Sequence, residues 1–161
     1  MNEAMKKLFS TLLVLTVAVL CTLPARAQTA LGVVAQYGLD IEEFQLGGEF
    51  HIPFRPTEGF SFVPNIEFYL RDDPTIIVIN ADVHYAFGSE YVRSFVPYVG
   101  LGLAVTRVSD DGRSNSDAGL NLIGGANFRT RGRTVPFFQI EFRAGDFEDL
   151  SIGGGVRFPL R

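Results

Sequence analysis

The chain has 161 residues, 18 acids against 14 bases, a single cysteine and no tryptophan. That length suits one domain, one cysteine excludes a disulfide framework, and a net charge of −4 argues against nucleic acid as a partner. Lys6 and Lys7 form a basic opening, and Leu8 to Leu20 follows as an apolar run broken only by Ser10, Thr11 and Thr16. Pro24 then precedes Ala25-Arg26-Ala27, a small-x-small cleavage pattern. Together these read as a cleaved secretory signal peptide over 1–27, too short for a spanning helix. A start at Met5 would give a tidier Met-Lys-Lys opening. Cys21 does not make a lipoprotein site, because Leu20 stands where a small residue is needed.

The domain at 28–161 loses Glu3, Lys6, Lys7 and Arg26 with the leader, which leaves 17 acids against 11 arginines and a net charge of −6. It keeps neither cysteine nor lysine. Its sequence alternates apolar and polar residues in eight segments, at 30–38, 44–53, 60–70, 76–87, 95–107, 118–129, 135–145 and 150–158. A period of two marks strands, and most segments have the roughly 9–11 residues that a tilted strand needs to cross a bilayer. The fourth is the clearest: Ile77, Ile79, Ala81, Val83, Tyr85 and Phe87 fall on one face, with Asn80, Asp82 and His84 on the other. Pro64 interrupts the third segment and predicts a bulge there, since proline cannot donate to a ladder.

Sorted by face, one side of all eight segments is apolar and carries more than ten phenylalanines. The opposite side carries Gln36, Gln45, Glu49, His51, Asn65, Glu67, Asn80, Asp82, His84, Asn121, Asn127, Gln139, Glu141, Arg143 and Arg157, with glycines between. A soluble barrel would bury the apolar side, but eight strands enclose room only for side chains that fill the interior or for one small ligand. That many phenylalanines overfill it. The polar side, rich in Gly, Asn and Gln and lacking lysine, is also a poor water-facing surface. The apolar face is therefore expected to meet lipid and the polar face to line the lumen.

The turns carry independent information. Those after strands 1, 3, 5 and 7 hold Asp40, Glu42, Glu43, Asp72, Asp73, Asp110, Asp111, Asp117, Asp146, Glu148 and Asp149 against Arg71, Arg107 and Arg113. Those after strands 2, 4 and 6, with the C-terminus, hold Arg55, Arg93, Arg129, Arg131, Arg133 and Arg161 against Glu58 and Glu90. Charge sorting by turn parity is expected of an up-and-down barrel whose alternate turns share one side of a membrane. Ser109 to Asp117 reads as the longest loop.

The leader, Val96-Pro97-Tyr98-Val99-Gly100-Leu101-Gly102-Leu103, and the closing Ile152-Gly153-Gly154-Gly155-Val156-Arg157-Phe158 resemble the small eight-stranded outer-membrane barrels of Gram-negative bacteria, of the outer-membrane protein A and X type. The resemblance implies an all-β, eight-stranded antiparallel up-and-down transmembrane barrel preceded by a cleaved signal peptide, placed in the outer membrane of a Gram-negative cell. The closing stretch looks like the family's C-terminal assembly signal, although Pro159-Leu160-Arg161 follow the aromatic. Expected partners are lipopolysaccharide on the acidic side, phospholipid on the basic side, and the outer-membrane assembly machinery, with the barrel a monomer.

Within the lumen, ions must pair, because breaking a buried pair costs about 3–5 kcal/mol. Two interior networks are expected from Glu49, His51, Glu67, Asp82, His84, Glu141, Arg143 and Arg157, with Glu67 and Arg143 toward the outer end and Glu49, His51 and Arg157 at mid-height or toward the periplasm. Gly100, Gly102 and Ala104 leave room for long side chains from across the lumen. Asp82 and His84 share one face and form a possible base with its orienting carboxylate, but they point inward, away from a bilayer substrate. No catalysis, cofactor or metal site is expected. The expected function is a structural, envelope-integrity barrel with a filled polar lumen. A narrow channel for small solutes and a soluble periplasmic binder of a hydrophobic ligand are the alternatives.

Overall fold

The computed structural model describes residues 29–54, 59–71, 73–87, 94–110 and 113–160. The leader at 1–27 and the domain's first residue, Gln28, lie outside them, as do Arg55, Glu58, Asp72, Glu90, Arg93, Asp111 and Arg161 of the turn pattern.

The alternating segments form β1 (Ala30–Gly38), β2 (Glu43–Pro53), β3 (Phe60–Tyr69), β4 (Thr75–Ala86), β5 (Phe95–Asp110), β6 (Arg113–Phe128), β7 (Val135–Gly145) and β8 (Asp149–Pro159). Each pairs antiparallel with the next. Strand β8 returns to β1 from Ala30↔Pro159 to Gly38↔Ser151, closing an eight-stranded up-and-down barrel. Closure leaves no sheet edge along the wall, which satisfies the backbone without water.

The two faces divide as the alternation requires. On β6, Leu120 and Leu122 are 53% exposed, while Asn121 between them has no exposed surface. The exposed apolar side chains continue around the wall through Val33, Phe44, Ile66, Ile79, Leu103, Ile140 and Phe158. Such a continuous apolar belt needs hydrocarbon as its solvent. Ile52 shares this outward parity yet is 3% exposed, at the rim beside the turn to β3.

Two local expectations change. Of the expected loop from Ser109 to Asp117, the described residues are strand: β5 and β6 stay paired from Thr106↔Asp117 out to Asp110↔Arg113. Serines and asparagines there make the stretch look turn-like, but cross-strand pairing overrides their local preference. The β6–β7 ladder ends at Gly119↔Gly145, so the ribbon rises beyond β7 with one edge of β6 unpaired. Pro64 also makes no bulge. The β2–β3 register is the same at Glu49↔Asn65 and Ile52↔Phe62, and only the pairs between them lapse. On the other side Pro64↔Ala81 remains in register. The missing N–H costs the ladder toward β2 without inserting a residue.

One end of the barrel, here the terminal end, carries both chain termini, tied by Leu160 N–H donating to the Thr29 carbonyl at 2.7 Å. The last residues of β2, β4 and β6 lie there, with Arg129, Arg131 and Arg133 exposed. The opposite, hairpin end exposes Asp40, Glu42, Asp73, Asp110, Asp146 and Glu148.

Candidate functional site: the filled lumen and its two ends

All eight of the singled-out residues project inward. Glu49, Glu67, Asp82, His84, Glu141, Arg143 and Arg157 are buried, and His51 is half-buried near the terminal end.

Toward the hairpin end, Arg143 on β7 donates from Nη2 to Glu141 Oε1 at 2.7 Å and lies 3.5 Å from Glu67 Oε2 on β3. Its Nη1 donates to the Tyr69 hydroxyl at 3.2 Å, and that hydroxyl donates to Asp149 Oδ2 at 2.7 Å. Gln45 Nε2 reaches the same carboxylate at 3.0 Å and Ser151 Oγ at 2.9 Å. Asp149 thus leaves the acidic rim to which its turn-like position assigned it. It begins β8, points inward and has no exposed surface. Gln36 Nε2 donates to Glu67 Oε1 at 3.2 Å and completes the cluster.

An apolar cap covers this cluster. Tyr69, Ile76, Val78 and Ala104 pack together, with Ile41, Val108 and Phe147 against them. The Tyr69 ring meets Phe147 edge-on at 5.9 Å, so its ring serves the cap and its hydroxyl the ion cluster. Sequence reasoning missed the cap. Its signal was a single apolar residue set among acids, Ile41 in one turn and Phe147 in another.

At mid-height, Asn121 Nδ2 donates to Asp82 Oδ1 and to Asn80 Oδ1, each at 3.0 Å. Asn65 Nδ2 donates to Asp82 Oδ2 at 3.0 Å, and Asn80 Nδ2 to Asn65 Oδ1 at 2.6 Å. With both oxygens engaged by amides, Asp82 does not orient His84. The imidazole instead stacks on Tyr98, with ring centroids 5.0 Å apart, and neither of its nitrogens has a hydrogen-bond partner among the described residues. The Asp–His dyad does not form.

Toward the terminal end, Arg157 on β8 donates from Nε to Glu49 and from Nη1 to Asn127 Oδ1 at 2.5 Å. Its guanidinium carbon lies 4.1 Å from the centre of the Phe137 ring and 5.6 Å from that of Tyr98. Beyond Arg157 a recess of about 470 Å³ opens outward, lined by His51, Asn127, Arg129, Thr130 and Thr134. Among the described residues, no group of three or more His, Cys, Asp and Glu side chains is arranged to hold a metal ion.

Known proteins match this chain in fold. The N-terminal β-barrel domain of Pseudomonas aeruginosa OprF superposes with a TM-score of 0.68 at 18% identity, over 84% of this chain and 100% of that one. Neisserial surface protein A gives 0.59 at 14% identity, over 83% and 96%. The outer membrane enzyme PagL gives 0.53 at 10% identity, over 81% and 99%. No protein-family model matches the sequence, and no curated protein does. The chain therefore has the fold of the small eight-stranded outer-membrane barrels, a fold that carries enzymes as well as proteins not described as such.

Proposed function

We propose that this protein is a monomeric outer-membrane barrel of structural, envelope-supporting role, whose lumen is filled and which catalyses nothing. The observation that carries the reading is the packing of the interior: Asn121, Asp82 and Asp149, on three different strands, have no exposed surface at all. Eight strands leave space for interior side chains and little more, and here those side chains are held by one another over most of the barrel's height. The apolar cap adds a dry barrier at the hairpin end. With the lumen occupied, the surfaces left for function are the lipid-facing wall and the two rims.

The charged rims favour lipid partners. The acidic hairpin end would meet lipopolysaccharide phosphates through divalent cations, and the basic terminal end anionic phospholipid headgroups. Insertion would pass through the outer-membrane assembly machinery, with Phe158, exposed on the wall in β8, ending the apolar alternation that such machinery reads. The soluble-binder alternative needs an apolar interior, and this interior is polar.

Conductance of the purified protein in planar lipid bilayers tests the filled lumen. The expected record has no stable openings; reproducible unitary steps would replace this reading with the narrow channel. Membrane fractionation tests placement separately, since recovery in detergent-free buffer would reject a membrane protein.

A further inference from the structure

We propose that the recess at the terminal end is a binding site for a phosphate group borne on a small organic body. The assignment uses the geometry of that end alone, not its orientation in a membrane.

The floor of the recess is Arg157, locked in place. Glu49 and Asn127 hold its guanidinium, and the Phe137 and Tyr98 rings support its face. Its contact from Nη2 to Glu49 is long, 3.4 Å, which leaves donor capacity on that nitrogen. Planar guanidinium forks match phosphate oxygens bidentately, and a fork already held in place loses little freedom on binding.

The turn from β6 to β7 forms one side. Arg129 lines the recess, and its backbone N–H donates to the Ser94 carbonyl at 3.0 Å, which fixes the main chain there. Thr130 Oγ1 donates to the Thr134 carbonyl at 2.7 Å and closes the turn. Gly132 between them has a bare backbone; an added Cβ would lie 3.8 Å and 4.0 Å from the two threonine hydroxyl oxygens and touch nothing nearer. Thr130, Gly132 and Thr134 thus bring a tight turn to the edge of a largely apolar recess, with Arg131 and Arg133 exposed on either side of Gly132.

Charge and size select the ligand. Arg129 and Arg157 line the recess, and Glu49 offsets one of them. Among the described residues, the exposed Arg131 and Arg133 add to an excess of positive charge that suits a dianion better than a carboxylate. About 470 Å³ falls within the range of small-molecule sites, roughly 300–1,000 Å³, and exceeds what a bare phosphate fills. Ala30, Val96 and Val135 supply apolar wall for the remainder. A water-soluble phosphomonoester and a phosphomonoester lipid headgroup share this chemistry.

The test is a nuclear magnetic resonance titration of the ¹⁵N-labelled barrel in maltoside micelles, which contain no phosphate. Inorganic phosphate, phenyl phosphate and acetate are added in turn. A parallel sample sits in phosphatidylcholine nanodiscs with or without phosphatidic acid. Saturable shifts at the amides of residues 127–134 are expected, tighter for phenyl phosphate than for phosphate and weakest for acetate. Saturation in micelles identifies a soluble ligand; shifts that arise only with phosphatidic acid identify a headgroup. Arg129→Gln, an exposed change that leaves the barrel folded, should weaken binding about tenfold. No saturable shift in any arm, equal affinity for acetate, or an unchanged response in Arg129→Gln would overturn the site.

Discussion

Glu49 on β2 and Arg157 on β8 are paired across Gly32 of β1, which is the ladder partner of both. A Cβ on Gly32 would lie 2.6 Å from Glu49 Cγ. The same arrangement recurs three times. Asp82 and Asn121 meet across Gly102, Tyr98 and Gln139 across Gly125, and Gln139 and Gln36 across Gly153. In each case the strand between two large polar residues supplies a glycine, so side chains two strands apart can meet over bare backbone. The lumen is filled by this spacing.

Gly32→Val should therefore press on Glu49 and separate the ion pair while both of its residues are kept. Two buried charges left poorly paired cost about 3–5 kcal/mol. Urea titration of the barrel in lipid, followed by the electrophoretic shift between folded and unfolded forms, reads the loss. A change below about 1 kcal/mol would mean that Glu49 and Arg157 find each other by another route.

The pair itself is expected to behave non-additively. Glu49→Leu leaves Arg157 buried without its carboxylate, and Arg157→Met leaves Glu49 without its cation. Each single change should cost about 3–5 kcal/mol, whereas the double variant should be more stable than either. Simple addition of the two losses would show that the charges act independently.

On the opposite face, Ala81 is exposed on the apolar wall and paired with Leu103. Ala81→Arg should cost roughly 2–4 kcal/mol if that position lies at the bilayer midplane. Asp110→Arg, at the hairpin end, serves as the control and should change refolding little. Equal behaviour of the two in lipid vesicles would remove Ala81 from the hydrocarbon.

The ribbon of β5 and β6 gives a backbone test. Between Arg113 and Ala118, β6 has β5 on one side and no β7 partner on the other. Amide hydrogen exchange should alternate along this segment, slow where the N–H points to β5 and fast where it points away. Uniform protection would indicate a second partner along that edge.

Much of the fold is legible because the bilayer and the β-strand impose simple rules. A period of two is visible without any contact information, and the phenylalanine load shows which face cannot be inside. Turn charges follow parity because alternate turns share an end. The exceptions each have a long-range cause. Ser114, Asn115 and Ser116 favour turns locally, yet pairing with β5 makes them strand. Asp149 is adjacent to a turn, and its burial depends on Tyr69 and Gln45 from strands far away in sequence. Ile41 and Phe147 look incidental until the closing of the barrel brings their two turns together over one cluster.

The sequence by itself determined the inward parity within each strand, because side-chain direction on a strand depends only on parity, but not the strand ends: Asp149 faces inward because β8 begins there. It also supplied the two charge types that the lumen must pair. The tertiary structure alone decided which of them meet. Partnership in a barrel depends on the register of each ladder and on which residue lies in the strand between, and no strand carries that information about its neighbours. Glu49 finds Arg157 because the registers of β1 with β2 and with β8 both place Gly32 between them.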